Sequence, residues 1–231
     1  MSATAKLGTI TIGQAPRPDI TPILERHLPP GTPCLHAGLL DGLARDEIER
    51  RYAPRAGQAT LITRLLDGSS VVVDKAAMLA LLTQKIAALE AQGCAFVLVL
   101  CTGAFDDLRA ASAWLIEPDL IVSPTVAALA GARQVGVIVP LASQVASEAH
   151  KWRALQHAPL CAVASPYADG SESLAEAARE LKRQGADLLV LDCTGFVERH
   201  RTAAAAASGL PVMLSNAVIA RLTAELLTQA D

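Results

Sequence analysis

The sequence predicts an α/β protein of two pseudo-symmetric lobes, each a mainly parallel sheet flanked by helices. Two observations carry that expectation. Short apolar runs bounded by turn signals alternate with longer segments of helical periodicity, the pattern of parallel sheets. The chain also repeats itself: Gln92-Gly93 to Cys101-Thr102-Gly103 and Gln184-Gly185 to Cys193-Thr194-Gly195 superpose without a gap, about ninety residues apart. One segment departs from the alternation. In ATLITRLLDGSSVVVDKA, apolar and polar residues alternate on either side of Asp67-Gly68, which signals a hairpin.

In chain order, strands are expected at 7–12, 95–101, 135–139, 188–192 and 211–214, with weaker ones near Cys34, Leu120 and Leu160. Helices are expected at 75–92, 105–114, 142–157, 174–184, 197–207 and 217–229. The run ARDEIERRYAPRAG mixes charge signs at helical spacing and stops at a proline, as a short solvated helix does. Residues 1–104 and 214–231 are expected to form the first lobe, with the hairpin inserted at about 60–74, and 105–213 the second. In each half the Cys-Thr-Gly turn is followed by an expected helix, a short strand and a serine-containing turn, IVSPTVAAL and PVMLSNAVIA.

Composition excludes several classes of function. A hydrophobic content of 52% in 231 residues supports a substantial core. Twenty basic and 23 acidic residues are spread along the chain for a net charge of −3, so no basic face is offered to nucleic acid. No apolar run approaches the roughly 20 residues of a membrane span, and the N-terminus MSATAKLGTITIG lacks the form of a signal peptide. A cytoplasmic protein without membrane partners is expected. Five scattered cysteines with no Cys-x-x-Cys pair favour neither disulfides nor zinc. There is no glycine-rich phosphate loop, and the five histidines do not cluster with carboxylates, so no nucleotide, metal or other cofactor is expected. A homodimer is the commonest assembly for such a chain.

The repeated Cys-Thr-Gly is where chemistry is expected. The carboxyl end of a parallel strand lies on the sheet edge where α/β proteins bind ligands. There the N–H groups of Thr102, Gly103, Thr194 and Gly195 would hold a small anion, and a following helix would favour the thiolate. Two such sites related by a pseudo-twofold would face one another across the cleft between lobes. Cys101 and Cys193 would then act from opposite faces of one carbon, one removing a proton and the other returning one. A thiol with an ordinary pKa of about 8.5 can reach both forms near neutrality. The alternative for each cysteine is a buried strand-end core residue, the reading adopted for Cys34, Cys94 and Cys161.

Beyond these turns, the stretches LGTITIGQAPRPDI, YAPRAGQATLITRLLDGSSVVVDK, VGVIVP, LLVLDCTGFVERHR and PVMLSNAVIARLTAELL resemble the AroM family, within the aspartate/glutamate and hydantoin racemase superfamily. The resemblance implies a two-lobed α/β fold, a cofactor-free site in the cleft, and Cys101 and Cys193 at the two superfamily cysteine positions. Amino-acid racemases of the superfamily usually carry Cys-Asn-Thr and then Cys-Thr-His. The Cys-Thr-Gly of both halves argues against free aspartate or glutamate and is more similar to hydantoin racemases. A decarboxylase with a single cysteine proton donor is a further outcome in that superfamily.

Other candidates surround the turns. Gln14 and Arg17 lie in the loop GQAPRPDI after the first strand, where Arg17 is either a clamp for a substrate carboxylate or a brace to Asp19. Gln14 either donates to substrate or satisfies the loop backbone. Ser123, Thr125, Ser215 and Asn216 read first as helix N-caps and second as substrate contacts. His200 either tunes Cys193 or belongs to a solvated face with Glu198, Arg199 and Arg201. Asp192 reads as structural, and Phe105 and Phe196 are the only aromatic walls in prospect. The leading expectation is a cofactor-independent racemase or epimerase acting on a small carboxylate or cyclic amide. The alternatives are a one-cysteine decarboxylase or isomerase and a non-catalytic binding protein.

Overall fold

The first sheet starts with β1 (Leu7–Thr11), an LGTIT run with every residue buried. After it come the short helix α1 (Thr21–Glu25), strand β2 (Cys34–Gly38), helix α2 (Arg45–Tyr52) and the hairpin strands β3 (Thr60–Arg64) and β4 (Ser70–Asp74). Helix α3 (Lys75–Ala91), capped by the Asp74 side chain, leads to β5 (Phe96–Leu100), and β6 (Trp114–Ile116) completes the sheet. Strand order is β2-β1-β5-β6, all parallel. The hairpin pairs antiparallel with Ser70 opposite Arg64, as the Asp67-Gly68 signal requires. These elements come from a computed structural model that describes residues 5–228.

The second sheet follows helix α4 (Pro118–Ala130) and comprises β7 (Val135–Val139), β8 (Leu160–Val163), β9 (Leu188–Leu191) and β10 (Val212–Leu214). Helix α5 (Val145–Lys151) follows β7 after a single 3₁₀ turn, α6 (Glu172–Arg183) follows β8, α7 (Glu198–Ser208) follows β9 and α8 (Ser215–Leu227) follows β10. Read from β8, the order is β8-β7-β9-β10, again all parallel. The two halves therefore share one topology: first strand inside, second at one edge, third inside, fourth at the other edge. The chain divides into Met1–Glu117 with Ala220–Asp231, and Pro118–Ile219. Because β6 bonds to β5, the first unit runs past the boundary expected at 104.

The duplication extends to packing that the sequence comparison did not reach. Gly8 in β1 and Gly136 in β7 stand at equivalent positions, and each lets a helix lie close on its sheet. A Cβ on Gly8 would fall 2.8 Å from Leu89 Cδ1 and 3.2 Å from Cys94 Sγ. One on Gly136 would fall 3.1 Å from Leu181 Cδ1 and 3.2 Å from Ala186 Cβ. Leu89 and Leu181, like Cys94 and Ala186, are themselves matched residues of the repeat.

Three expected elements are corrected. Residues 105–114 form turns rather than a helix, since the Glu90 carboxylate accepts from the backbone N–H groups of Ala111, Ser112 and Ala113 at 3.2, 2.6 and 2.8 Å. Those donors, Ala113 first, hold Glu90 down to about 2, and backbone tied to a side chain is lost to a helix. Leu120 lies in α4 and not in a strand; the strand at that point is β6. The helix expected over 142–157 is regular only through Lys151, where the chain turns into a buried charged cluster. The solvated helix and the hairpin stand where expected, and the i,i+4 pairs of α2, such as Arg45 with Glu49, are exposed and worth little.

Within the first unit the hairpin packs into a core that includes Ile10, Val73, Met78, Leu82, Ile86 and Val97. Its docking point is Gly13, where a Cβ would lie 2.1 Å from the Arg64 carbonyl oxygen and 2.6 Å from Thr63 Oγ1. Neither is the yielding end of a long side chain. Gly13→Ala is expected to destabilise the protein by roughly 1–3 kcal/mol or more, and by more than Gly8→Ala, whose nearest obstacle is a flexible leucine tip. Chemical denaturation of the two variants checks the order.

Candidate functional site

Each cysteine of the repeat leaves the carboxyl end of a central strand and is half-buried. Cys101 follows β5 directly, and its Sγ accepts from the Gly103 N–H at 3.3 Å. Cys193 comes two residues beyond the last paired residue of β9, Leu191, and accepts from the Gly195 N–H at 3.4 Å. The same closure, sulfur to the amide two residues on, thus recurs in both units. An N–H aimed at sulfur favours the charged form of a thiol. The expected helix dipole is not the donor: no helix follows Cys101 before α4, and α7 begins only at Glu198. Thr102 and Thr194 are both buried.

Different elements close over the two glycines. Leu61 of the hairpin lies 3.0 Å from the position of a Cβ on Gly103, with Phe105 Cε2 at 3.9 Å. Lys75 places its ammonium 5.8 Å from the Phe105 ring centroid. Over Gly195 lie the Tyr167 hydroxyl at 2.5 Å and Pro166 Cγ at 2.9 Å from the equivalent point. Tyr167 escaped the sequence reading; it sits in the loop after β8, and only the fold brings that loop to the β9 turn. Phe196, expected as a wall, is fully buried and meets His200 edge-on at 5.5 Å.

The remaining candidates mostly brace these turns. Gln14 donates through Nε2 to the Leu40 and Leu43 carbonyls at 3.2 and 2.9 Å and accepts from the Leu66 N–H at 2.9 Å. Its amide is committed to backbone, joining the first loop to the hairpin. Arg17 is 5% exposed and grips Asp19 side-on through Nε and Nη2 at 2.9 and 2.8 Å, with Nη1 donating to Thr11 Oγ1 at 3.1 Å. Burial pushes the Asp19 carboxyl up, but the Arg17 hydrogen bonds and charge outweigh it and leave it below the usual range. Thr11 pairs with Leu100, the residue before Cys101, so this brace stiffens the edge beside that thiol.

In the second unit, Ser123 and Thr125 lie inside α4 rather than at its start. The Ser-Pro-Thr that reads as a turn is helical, and Ser123 Oγ donates to the Lys151 carbonyl at 2.7 Å. Ser215 Oγ donates to the Leu191 carbonyl at 3.0 Å and, more distantly, to Asp192 Oδ1 at 3.4 Å. Asn216 Nδ2 donates to the carbonyls of Thr194 and Phe196 at 2.9 and 2.6 Å, pinning the Cys-Thr-Gly turn from behind. His200 is buried and is not part of a solvated face. Its Nδ1 accepts from the Val197 N–H at 2.9 Å, and burial with the nearby Arg199 charge holds it down to about 4, so it is neutral and protonated at Nε2.

Asp192, expected to be structural, belongs to a buried ionic cluster. Lys151 Nζ donates to its Oδ2 at 2.5 Å and lies 3.9 Å from Asp119 Oδ1. One turn back in α5, Glu148 accepts from the Trp152 indole N–H at 2.7 Å. Burial and then the charge of Asp192 push the Glu148 carboxyl up to about 7, against the pull of Lys151. Burial opposes the Lys151 ammonium, but the acidic groups around it, Asp192 foremost, raise its pKa. Burial and the Glu148 and Asp192 charges drive the Cys161 thiol up to about 11, and burial also raises Cys34 and Cys94. Among the described residues, no group of three or more His, Cys, Asp or Glu is placed to hold a metal ion.

Two four-stranded parallel sheets of one topology, each ending its third strand in a cysteine turn, form an α/β fold similar to that of glutamate racemases of solved structure. The chain belongs to the AroM protein family, whose model matches residues 7–227. Among solved structures it is similar to unliganded arylmalonate decarboxylase, at 14% identity and TM-score 0.61 over 99% of this chain and 94% of that one. Allantoin racemase from Klebsiella pneumoniae is 17% identical, with TM-score 0.59 over 97% and 88%. Glutamate racemase from Thermus thermophilus, in complex with β-chloro-D-alanine, is 21% identical, with TM-score 0.62 over 97% and 80%. At these identities the likeness establishes the fold. No curated protein matches. Among the described residues no helix is long and apolar enough to cross a membrane.

The Glu148 carboxyl makes stability depend on pH. Its pKa is about 7 folded, against an ordinary 4.5. Between those values the folded state holds more protons than the unfolded one, so stability falls as pH rises through the window and levels off above it. The expected outcome is a Tm that declines from about pH 5 to about pH 7, with Glu148→Gln flattening that stretch of the curve in thermal unfolding.

Proposed function

We propose that the protein is a cofactor-independent racemase or epimerase in which Cys101 and Cys193 exchange protons at one acidic carbon beside a carboxylate or ring carbonyl. The observation that carries this reading is the repeated closure of a glycine N–H on sulfur, present at these two cysteines. In the forward direction one thiolate takes the proton from carbon, leaving an enolate whose charge spreads onto the neighbouring carbonyl oxygen. The other thiol then gives a proton to the opposite face, so the product is the mirror configuration and the thiols have traded protonation states. The amides and hydroxyls of Thr102, Gly103, Thr194 and Gly195 are the groups proposed to hold the substrate oxygens. The racemases and the decarboxylase among its fold neighbours are in keeping with carbanion chemistry of this kind.

A second reading rests on the unlike surroundings of the two thiols, apolar Leu61 and Phe105 at one and Tyr167 at the other. In a one-sided decarboxylase or isomerase, Cys193 would protonate a carbanion alone. A non-catalytic binding protein would need neither thiol.

The distinguishing measurement is incubation in D₂O with chiral 2-amino acids, 5-substituted hydantoins and malonates, following deuterium at the acidic carbon by NMR. Wild type is expected to exchange with inversion, and Cys101→Ser and Cys193→Ser each to lose inversion by at least about a hundredfold, the lower range for general acid/base groups. Product formation that survives Cys101→Ser but not Cys193→Ser would replace inversion by one-sided chemistry. Silence across the panel, with thiols that alkylate no faster than an ordinary cysteine, would leave the binding protein.

A further inference from the structure

The two cysteine turns are alike in themselves and unlike in what stands behind them. The residue before Cys101 is Leu100, a buried apolar side chain. The matched residue before Cys193 is Asp192, whose side chain is 1% exposed and ion-paired to Lys151. We infer that Asp192, with Lys151 and Glu148, is a positioning assembly for Cys193: it anchors the last residue before that thiol and makes the Cys193 half of the site, and not the Cys101 half, answer to the charge state of the cluster. The inference rests on the proposed role of Cys193 as an acid/base group.

The anchoring is visible bond by bond. Asp192 donates its backbone N–H to the Ile138 carbonyl at 2.9 Å, which seats it on β7. Its carboxylate accepts from Lys151 at the end of α5 and from Ser215 at the start of α8. Lys151 in turn offers its carbonyl to Ser123 of α4. Asn216, next to Ser215, holds the carbonyls on either side of Gly195. Asp192 and Asn216 therefore grip the Cys193 turn from its two ends. Nothing of this kind is available to the side chain of Leu100.

The groups facing Glu148 can be named from every side. They are Asp119 of α4, Lys151 and the Trp152 indole of its own helix region, Asp192 from the end of β9, and Cys161 of β8. While Glu148 holds its proton, one ammonium faces the carboxylates of Asp119 and Asp192. Once it ionises, Lys151 is shared with a third carboxylate. That draws the ammonium away from Asp192 and adds negative charge behind Cys193, and both changes disfavour the Cys193 thiolate. Its shift to about 7 puts this change near neutrality.

The test reads the thiols directly and needs no substrate. Wild type, Glu148→Gln and Asp192→Asn are alkylated with iodoacetamide over a pH series. The rate constants of Cys193 and Cys101 are then resolved by mass spectrometry in the same molecules. In wild type the Cys193 to Cys101 ratio is expected to fall about threefold as Glu148 ionises, equivalent to about half a unit of thiol pKa. Glu148→Gln, which keeps an acceptor for Trp152, is expected to abolish that fall. Asp192→Asn should change the ratio across the series while the Cys101 rate constant stays put. Identical wild-type and Glu148→Gln profiles in folded proteins would overturn the inference.

Where a variant does not fold, ¹⁵N amide shifts of wild type decide. Thr194 and Gly195 should titrate with the Glu148 carboxyl while Thr102 and Gly103 stay still; equal behaviour of the two turns counts against the assembly. Failure here leaves the D₂O experiment free to succeed, and the reverse also holds.

Discussion

Each cysteine turn depends on one backbone amide bonded to sulfur. A chain leaving the edge of a parallel sheet carries N–H groups with no ladder partner, and each must find an acceptor or water. At Gly103 and Gly195 the acceptor is the sulfur two residues back. That choice fixes the direction of the thiol and obliges the third residue to be small, because Leu61 or Tyr167 already occupies the space a Cβ would need. Cysteine and glycine are thus paired by one geometric demand, and threonine between them is turned inward. Everything added to each turn, hairpin or loop, brace or ionic cluster, acts on this closed ring of sulfur, backbone and one shared proton.

Seen this way, the duplication has two layers. What both halves retain is the frame: strand order, the first-strand glycines Gly8 and Gly136, the helix leucines that lie on them, and the cysteine closure. What differs is each half's means of stiffening the sheet edge. The first unit uses an inserted hairpin, docked on Gly13 through the Gln14 amide, and the buried Arg17–Asp19 pair. The second is braced by other groups, Lys151 against Asp192 and Asp119, with serine and asparagine from the start of α8. Two different solutions to one mechanical problem put different groups behind the two turns.

Much of this frame was legible in the sequence because it is written in short range. Alternation of apolar runs, an Asp-Gly turn and a gapless repeat are local signals, and they placed most strands, the hairpin and both cysteines. The misreadings arise where structure outside a short run overrides its local signal. Residues 105–114 have helical composition, but Glu90 takes their amides from across the fold. Ser-Pro-Thr at 123–125 has turn composition, yet Pro118 begins a helix that carries through it. Gln14 and Arg17 stand out in the sequence as polar residues of the loop after the first strand, while their partners Leu66 and Thr11 could be known only from the fold. Asp192 was passed over because, on its own strand, it is one carboxylate facing away from the cysteine. The lysine that gives it meaning lies on another helix.

That cluster is also costly to bury. Burying an ammonium among carboxyl groups carries a desolvation penalty that an apolar replacement of similar volume would avoid. The first unit shows that the fold does not require it, since Leu100 fills the matching position within the same topology. Stability alone therefore gives no reason for Asp192. Nor does local packing, because Cys161 beside it is pushed far from its usual range by the same charges. The cost falls at the residue immediately before Cys193. Its place immediately before Cys193 is what the proposed positioning role of Asp192 would account for.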